Sequence, residues 1–190
     1  MIALLLGLAG FLGVHCVRIV APEWRQTLRA RLGVNGWKAL YSVLAAGFFV
    51  LLVRGFVQAR SEASLLWVPA PALRQVAWLL LALAMILLVA TYVPRNAIRA
   101  RLRHPMLVAT ALWSTAHLMM SGKSHAVLLF AAFLTWSVAA LVSAMRRTPE
   151  PVVPARFPMS LLTIAAGIGV YLAMVLWLHR WLIGVAPLPA

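Results

Sequence analysis

Long apolar stretches alternate along this chain with short stretches rich in arginine, proline and glycine. Each apolar stretch approaches or exceeds about 18 residues and carries almost no charge, a pattern typical of transmembrane helices. The sequence therefore predicts an all-α, polytopic membrane helical bundle of about six transmembrane helices, in a single domain over residues 1–190. The predicted spans are Ile2–Ala21, Trp37–Val57, Leu73–Val93, Pro105–Met120, His125–Met145 and Met159–Gly184.

The connections between these spans contain residues that end helices. Pro69 and Pro71 follow the second span, where proline removes a backbone donor and stops a helix. The segment 22–36 is a short basic, amphipathic connection, and the segment 146–158 is a proline-rich linker. The first apolar stretch lacks the basic residues that begin a signal peptide, so we expect it to remain as the first span.

Composition supports a membrane protein. Hydrophobic residues make up 64% of the chain and charged residues 11%, whereas a soluble domain is about half apolar and a quarter charged. The net charge of +14 would also fit a nucleic-acid partner. The basic residues concentrate in the connections, however, as the positive-inside rule describes. We therefore expect the lipid bilayer, and no nucleic acid, as a partner.

The basic residues also predict the orientation of the bundle. Twelve lie in or beside the first, third and fifth connections, and five lie in or beside the others. Because positively charged connections stay in the cytoplasm, both termini of this multi-pass protein are predicted to lie on the outer side of the membrane. The twelve are Arg18, Arg25, Arg29, Arg31, Lys38, Arg95, Arg99, Arg101, Arg103, Arg146, Arg147 and Arg156; the five are Arg54, Arg60, Arg74, Lys123 and Arg180.

Acidic residues and cysteine are scarce. The acidic residues are Glu23, Glu62 and Glu150, and all three lie in connections. Carboxylates inside a membrane are typical of proton relays, so the sequence argues against a proton pump or a paired-carboxylate hydrolase. The single cysteine, Cys16, excludes an intramolecular disulfide and a cysteine-based zinc site.

Small residues recur in the first and last spans, as Gly7, Gly10 and Gly13 and as Gly167 and Gly169. Such residues let membrane helices approach closely, and they would also let a helix approach a planar ligand. We favour tight helix packing of the two interpretations.

The five histidines are the polar residues most relevant to function, because polar groups in a bilayer are costly and often functional. His125, His179 and His104 lie near the ends of spans and are expected at solvated boundaries. His15 and His117 lie deeper in the first and fourth spans. Each of these two either makes one hydrogen bond to a neighbouring helix or binds a ligand.

Helix geometry limits which histidines share a metal. His104 and His117 are separated by about 20 Å of helix rise and about 140° of rotation, so they cannot ligate the same ion. A two-histidine site must combine residues from different spans, and His15 is the natural candidate on another span. Arg18 follows His15 by one turn on the same face of its helix.

Two imidazoles without a carboxylate or thiolate suit haem better than zinc. Structural zinc needs four protein ligands and catalytic zinc usually three, whereas haem needs only axial ligands from the protein. Arg18 and Arg103, near the cytoplasmic edge, would pair with the haem propionates. The predicted axial offset between His15 and His117 is about 13 Å in straight helices, which a steeply tilted haem would bridge.

Four segments, FLGVHCVRIVAP, WKALYSV, YVPRNAIRARLRHPMLVATALWSTAHLMMSG and LHRWLIGVAPL, resemble the NnrU family across essentially the whole chain. That family is associated with denitrification and is related to the plant 15-cis-zeta-carotene isomerase, an integral membrane enzyme with a bis-histidine haem b. The resemblance implies haem b with His15 and His117 as its ligands. It makes His104 a non-ligand that orients groups or meets a propionate. Ser114 stands where the isomerase has a cysteine that is an alternative ligand.

The resemblance favours a haem-binding protein that supports nitrite and nitric oxide reduction, with components of those reductases as partners. A haem-dependent isomerase of a cis-carotenoid or isoprenoid is the alternative, and a structural subunit without a cofactor is a third interpretation. The RHP motif at Arg103 also opens a helix in membrane methyltransferases. Those enzymes carry an acidic motif downstream, where this chain has only Glu150, so we favour that interpretation least.

Overall fold

The structure, a computed structural model, describes residues 1–147 and 153–187. Glu150 and the middle of the proline-rich linker lie outside these ranges. Within them the regular structure is helical, apart from one isolated bridge between Leu65 and Lys123, so the all-α prediction is confirmed. The helices are α1 (Ile2–Val20), α2 (Pro22–Ala59), α3 (Leu73–Tyr92), α4 (Ala97–Leu102), α5 (Pro105–Met120), α6 (Ser124–Met145), α7 (Phe157–Ala173) and α8 (His179–Ile183), with a π-helical turn (Met174–Leu178) joining the last two.

Five helical stretches in the described ranges are long and apolar enough to cross a membrane. They are α1, α2, α3, α6 and the continuous stretch Phe157–Ile183. Helix α5 has the predicted bounds, but it has 16 residues and rises about 24 Å, less than a hydrocarbon core of about 30 Å. The membrane-protein prediction is confirmed by the five stretches, and the count of six spans stays a prediction.

The predicted connection 22–36 is helical and forms the first part of α2. The helix is broken at Gly33, where φ is 72° and ψ is 171°, a conformation that glycine adopts far more readily than other residues. Trp24 and Trp37 flank this break, and their ring centroids are 6.5 Å apart. In one straight helix they would be separated by about 20 Å of rise. The basic segment therefore folds back beside the start of the second span.

The long helices pack in the spatial order α2, α1, α6, α5, α3, α7. Leu4, Leu8, Leu52, Leu129 and Phe130 form a buried cluster between α1, α2 and α6, together with Ala59 and Ala126. This order places α6 between α1 and α5, so the helices that carry His15 and His117 both border α6.

Close packing at small residues explains the tight contact of α1 with α2. Gly7 lies against the backbone of Leu52, and Gly55 lies against the backbone of Leu4, with no room for a Cβ at either glycine. The interpretation of small residues as packing sites is confirmed at Gly7, as it is at Gly10 and Gly167. Gly13 and Gly169 have open space around them.

The two ends of the bundle differ in their hydrogen bonds and charges. At the end we call the Glu62 end, the Met1 amino group pairs with Glu62 at 2.9 Å, and the backbone N–H of Leu66 donates to Gly122 O at 2.8 Å. At the opposite end, the arginine end, the Arg156 N–H donates to Arg95 O at 2.7 Å. The connections predicted to share a side of the membrane thus meet at the same end of the bundle.

Candidate cofactor site

His15 lies in the second half of α1 with a fixed ring orientation. Its Nδ1 is 2.7 Å from the carbonyl oxygen of Phe11, one turn earlier. Because a carbonyl oxygen only accepts, Nδ1 carries the proton, and Nε2 of the neutral ring keeps its lone pair. This is the arrangement of metal-binding histidines, which usually donate their second N–H to a carbonyl or carboxylate.

Aromatic rings from three helices surround the His15 imidazole. The Phe11 ring lies 4.3 Å from it, between centroids, on α1 itself. Tyr41 of α2 approaches edge-on at 5.5 Å, and Trp136 of α6 does so at 5.7 Å. The imidazole is thus half-buried in an aromatic environment inside the bundle.

His117 repeats this local arrangement near the end of α5. Its Nδ1 is 2.8 Å from the carbonyl oxygen of Trp113, again one turn earlier, so its Nε2 also keeps the lone pair. The Trp113 ring lies 5.1 Å away, and Phe130 of α6 stacks on the imidazole at 4.4 Å and 24°. Both predicted ligands therefore present an unprotonated Nε2 in a fixed orientation.

The two histidines are connected through rings on α6. Phe133 contacts Phe11 at 5.9 Å and Trp113 at 5.7 Å, and so joins both sides. Within residues 1–147 and 153–187 the aromatic contacts include no direct contact between the rings of His15 and His117. Phe11, Trp113 and Phe133 line the space between them.

The difference in depth between the His15 and His117 rings can be derived from the residues of α6 that they contact. His117 contacts Phe130 and His15 contacts Trp136, six residues further on, which is about 9 Å of helix rise. This offset is smaller than the 13 Å expected from straight helices. Within the described ranges, helices α1 and α5 do not contact each other and both pack on α6, so a shared ligand would have to span this offset beside α6.

Two buried donors beside these histidines have no hydrogen-bond partner in the described part of the chain. They are the indole Nε1 of Trp136, next to His15, and the hydroxyl of Ser114, three residues before His117. Leaving a buried donor unsatisfied costs about 1–3 kcal/mol, so such atoms are expected to meet a ligand. The donor set of two imidazoles and an indole N–H fits a haem, whose iron takes axial nitrogens and whose propionates accept hydrogen bonds.

Arg18 lies in the last turn of α1, one turn beyond His15, and its side chain is exposed. It borders a cavity of about 570 Å³ at the arginine end, which Arg146 and Arg147 also line. The structure therefore keeps Arg18 near His15, in the company of other arginines.

Arg103 and His104 lie at the junction of α4 and α5. Arg103 ends α4 with a φ of 58°, an unusual value for a residue other than glycine. His104 precedes α5, and its carbonyl oxygen accepts from the backbone N–H groups of Leu107 and Val108. No side-chain hydrogen bond or ring contact in the described ranges joins His104 to His15 or His117. Their predicted part in the site stays a prediction.

His125 differs from its prediction. It was expected at a solvated boundary, but it is 5% exposed and packs on the Phe56 ring at 4.8 Å. The expectation was wrong because the connection before α6 folds over this position, with the Ser124 N–H donating to Ser64 O at 2.9 Å. His179 donates from Nδ1 to Val185 O at 2.7 Å, at an exposed position.

The sequence interpretation missed the aromatic surroundings of the histidines. The signal was present twice, as an aromatic residue four positions before each histidine, in FLGVH and in WSTAH. It was present again on α6, where Phe130, Phe133 and Trp136 recur at a spacing of three. Residues three and four apart share a face of a helix, so both patterns predict rings beside the imidazoles.

Clusters that would suit other metals are lacking where the structure is described. No group of three or more His, Cys, Asp or Glu side chains in residues 1–147 and 153–187 is arranged to hold a metal ion. Catalytic zinc usually needs three protein ligands.

Comparisons with known proteins give the family of this chain. No curated protein and no solved structure matches it significantly. One family model, described as NnrU protein, matches residues 3–187. That match covers nearly the whole chain, including both histidines and all the membrane-spanning helices. The chain therefore belongs to the NnrU protein family.

Proposed function

We propose that this protein binds one haem b between α1 and α5, with His15 and His117 as the axial ligands. In this proposal the protein supports nitrite and nitric oxide reduction in the bacterial inner membrane. The observation that carries the proposal is the repeated histidine geometry, in which Nδ1 donates to the carbonyl one turn earlier and Nε2 is left as a ligand. Membership of the NnrU family adds to it.

The residues around the histidines have separate parts in this proposal. The carbonyls of Phe11 and Trp113 hold the imidazoles in the ligating tautomer. Phe133 contacts the aromatic rings on both sides and excludes water. Trp136 donates its indole N–H to a haem propionate. A haem with two axial histidines supplies reversible one-electron transfer.

The proposal includes six spans with both termini in the periplasm. Helix α5 then crosses the membrane although its hydrophobic length is short, and the bilayer becomes locally thinner around it. The test is a cysteine accessibility experiment in a Cys16→Ser background. A cysteine at Ser61 should react with a membrane-impermeant reagent in intact spheroplasts, and one at Thr27 only after lysis. The opposite pattern would reverse the orientation.

The experiment that tests the haem proposal is the absorption spectrum of the purified protein, recorded oxidised, reduced and with nitric oxide. We expect a Soret band and the narrow α and β bands of low-spin, bis-histidine haem. His179→Ala is the matched control and should keep the spectrum. A colourless, folded protein from haem-replete cells would contradict the proposal.

The physiological part of the proposal is tested by complementation. A strain that lacks this gene should lose growth on nitrite or accumulate nitric oxide, and His179→Ala should restore the strain as well as the unaltered chain does. His15→Ala and His117→Ala should restore little. Haem binding with unchanged nitrite and nitric oxide turnover, together with altered carotenoid isomers in a host that makes them, would favour an isomerase instead.

A further inference from the structure

The cavity at the arginine end has an unusual charge. It is about 570 Å³ in volume and lies where the end of α1 and the start of α2 meet the last turns of α6. Three of its lining residues, Arg18, Arg146 and Arg147, carry a positive charge. Guanidinium groups gathered around one cavity repel each other unless an anion lies among them.

These arginines have no anionic partner in the described part of the chain. Within residues 1–147 and 153–187 the one ion pair joins Met1 to Glu62, at the opposite end of the bundle. The Arg147 side chain makes one hydrogen bond within the described ranges, from Nη2 to the Ser143 hydroxyl at 3.1 Å. The fork of N–H groups on a guanidinium matches the oxygens of a phosphate.

The neighbouring charges act on Arg147 over more than one helix. Partial burial, and then the positive charges of Arg18 and of Arg25, lower the pKa of the Arg147 guanidinium. Arg25 stands over the Trp37 ring at 5.8 Å, in the segment that folds back at Gly33. The field at the cavity is therefore built by α1, α2 and α6 together.

Apart from the arginines and Ser143, the lining of the cavity is apolar. Ile19 of α1 and Ala139 and Val142 of α6 line it, and the Val142 side chain is 44% exposed on the outside of the bundle. A small inorganic anion would use the arginines and leave this apolar wall bare. A molecule with a charged head and an acyl chain would contact both parts.

We propose that this cavity binds an anionic phospholipid, with its phosphate at Arg146, Arg147 and Arg18 and its acyl chain along Ile19 and Val142. The site shares Arg18 with the predicted propionate end of the haem, and its phosphate contacts at Arg146 and Arg147 do not depend on the haem proposal. Anionic lipids are drawn to basic pockets between helices on the cytoplasmic side. That side is where the twelve basic residues are predicted to lie.

The test compares two double variants of the full chain that remove the same charge. Arg146→Gln/Arg147→Gln alters the cavity, and Arg29→Gln/Arg31→Gln alters exposed positions in α2 that do not line it. Retained lipid is counted by native mass spectrometry in zwitterionic detergent, and the melting temperature is measured as phosphatidylglycerol or phosphatidylcholine is added. Inorganic phosphate at the same phosphorus concentration is the third addition.

We expect phosphatidylglycerol to be retained and to raise the melting temperature of the unaltered chain and of Arg29→Gln/Arg31→Gln. The affinity of the cavity variant for that lipid should fall about tenfold or more. If that variant does not fold, Arg147→Lys is used, which keeps the charge and loses the fork. It should retain less lipid than the unaltered chain.

Four results would overturn the proposal. If both double variants lose the same amount of bound phosphatidylglycerol, the lipid binds to the basic surface in general and not to the cavity. If inorganic phosphate raises the melting temperature as much as phosphatidylglycerol does, the acyl chain makes no contribution to binding at this site. Loss of bound lipid on haem loading would make these arginines propionate partners. A lipid effect that appears only after Glu150→Gln would assign the cavity to that carboxylate of the chain itself.

Discussion

The segments around His15 and His117 are built alike and surrounded differently. Each has an aromatic residue four positions before the histidine, and each histidine donates to that residue's carbonyl. The His15 ring contacts the rings of Tyr41 and Trp136, each of which carries a polar group at its edge. One face of the His117 ring stacks on the apolar ring of Phe130. The two histidines therefore share the same local hydrogen bond, but His15 contacts the Tyr41 and Trp136 rings and His117 stacks on the Phe130 ring.

This difference suggests a direction for the haem. Propionates are expected toward the α1 side, where an unsatisfied indole N–H and Arg18 lie. The hydrophobic edge of the macrocycle is expected toward α5, where Phe130 and Trp113 lie in contact at 5.0 Å.

The largest effect is expected from removing the aromatic ring that precedes each histidine. Phe11→Ala and Trp113→Ala should each lower the free energy of unfolding by about 3–5 kcal/mol, as large-to-alanine changes in packed cores do. Each ring contacts its own histidine and also Phe133. Denaturation in mixed micelles measures the change, with exposed Trp24→Ala as the control. A loss below about 1 kcal/mol in either variant would remove that ring from the packed centre.

A smaller and more specific effect is expected from the two unsatisfied donors. Trp136→Phe keeps a ring beside His15 and removes the N–H, so it should weaken haem binding about tenfold if that N–H meets a propionate. Ser114→Ala on the α5 side should weaken it less. Without haem, both changes should leave stability the same or raise it, because an unpaired buried donor disappears. Equal haem affinities in the unaltered chain and Trp136→Phe would contradict the proposed haem direction.

The smallest effect on haem content concerns Ser114, a buried residue three positions before His117. In a His117→Ala background, Ser114→Cys should restore part of the haem content through a thiolate ligand. In the unaltered background it should change little. Electron paramagnetic resonance distinguishes a thiolate ligand from an imidazole. No change in either background would mean that position 114 does not face the iron.

Much of the fold could be predicted from the sequence because spans follow from length and polarity. The bounds of α5, Pro105–Met120, agree with the predicted span, since Pro105 and the SGKS turn mark both ends. The return of the segment 22–32 against the second span could not be predicted. It depends on the backbone conformation of Gly33 and on contacts between residues distant in sequence, such as Trp24 and Trp37.

The candidate site was predictable in part, for a related reason. The two deep histidines stood out because imidazoles are rare in lipid. Their difference in depth was overestimated because straight, parallel spans were assumed, whereas both rings can be placed against α6 through Phe130 and Trp136. The residues that share a cavity with Arg18 could not be predicted either. Arg146 and Arg147 line that cavity, but they follow α6 and are more than a hundred residues from Arg18 in the sequence.

The central claim is that His15 and His117 hold the same haem, and the ratio of haem to chain in single variants tests it most directly. Haem is measured by pyridine haemochrome and protein by amino-acid analysis in the unaltered chain, His15→Ala and His117→Ala, with His179→Ala as control. We predict one haem per chain in the unaltered protein and the control. The low-spin signature should vanish in each single variant, whether haem is lost or held by one histidine in a high-spin form. Two haems per chain, with each variant keeping one low-spin haem, would contradict a shared site, as would an unchanged spectrum in both variants.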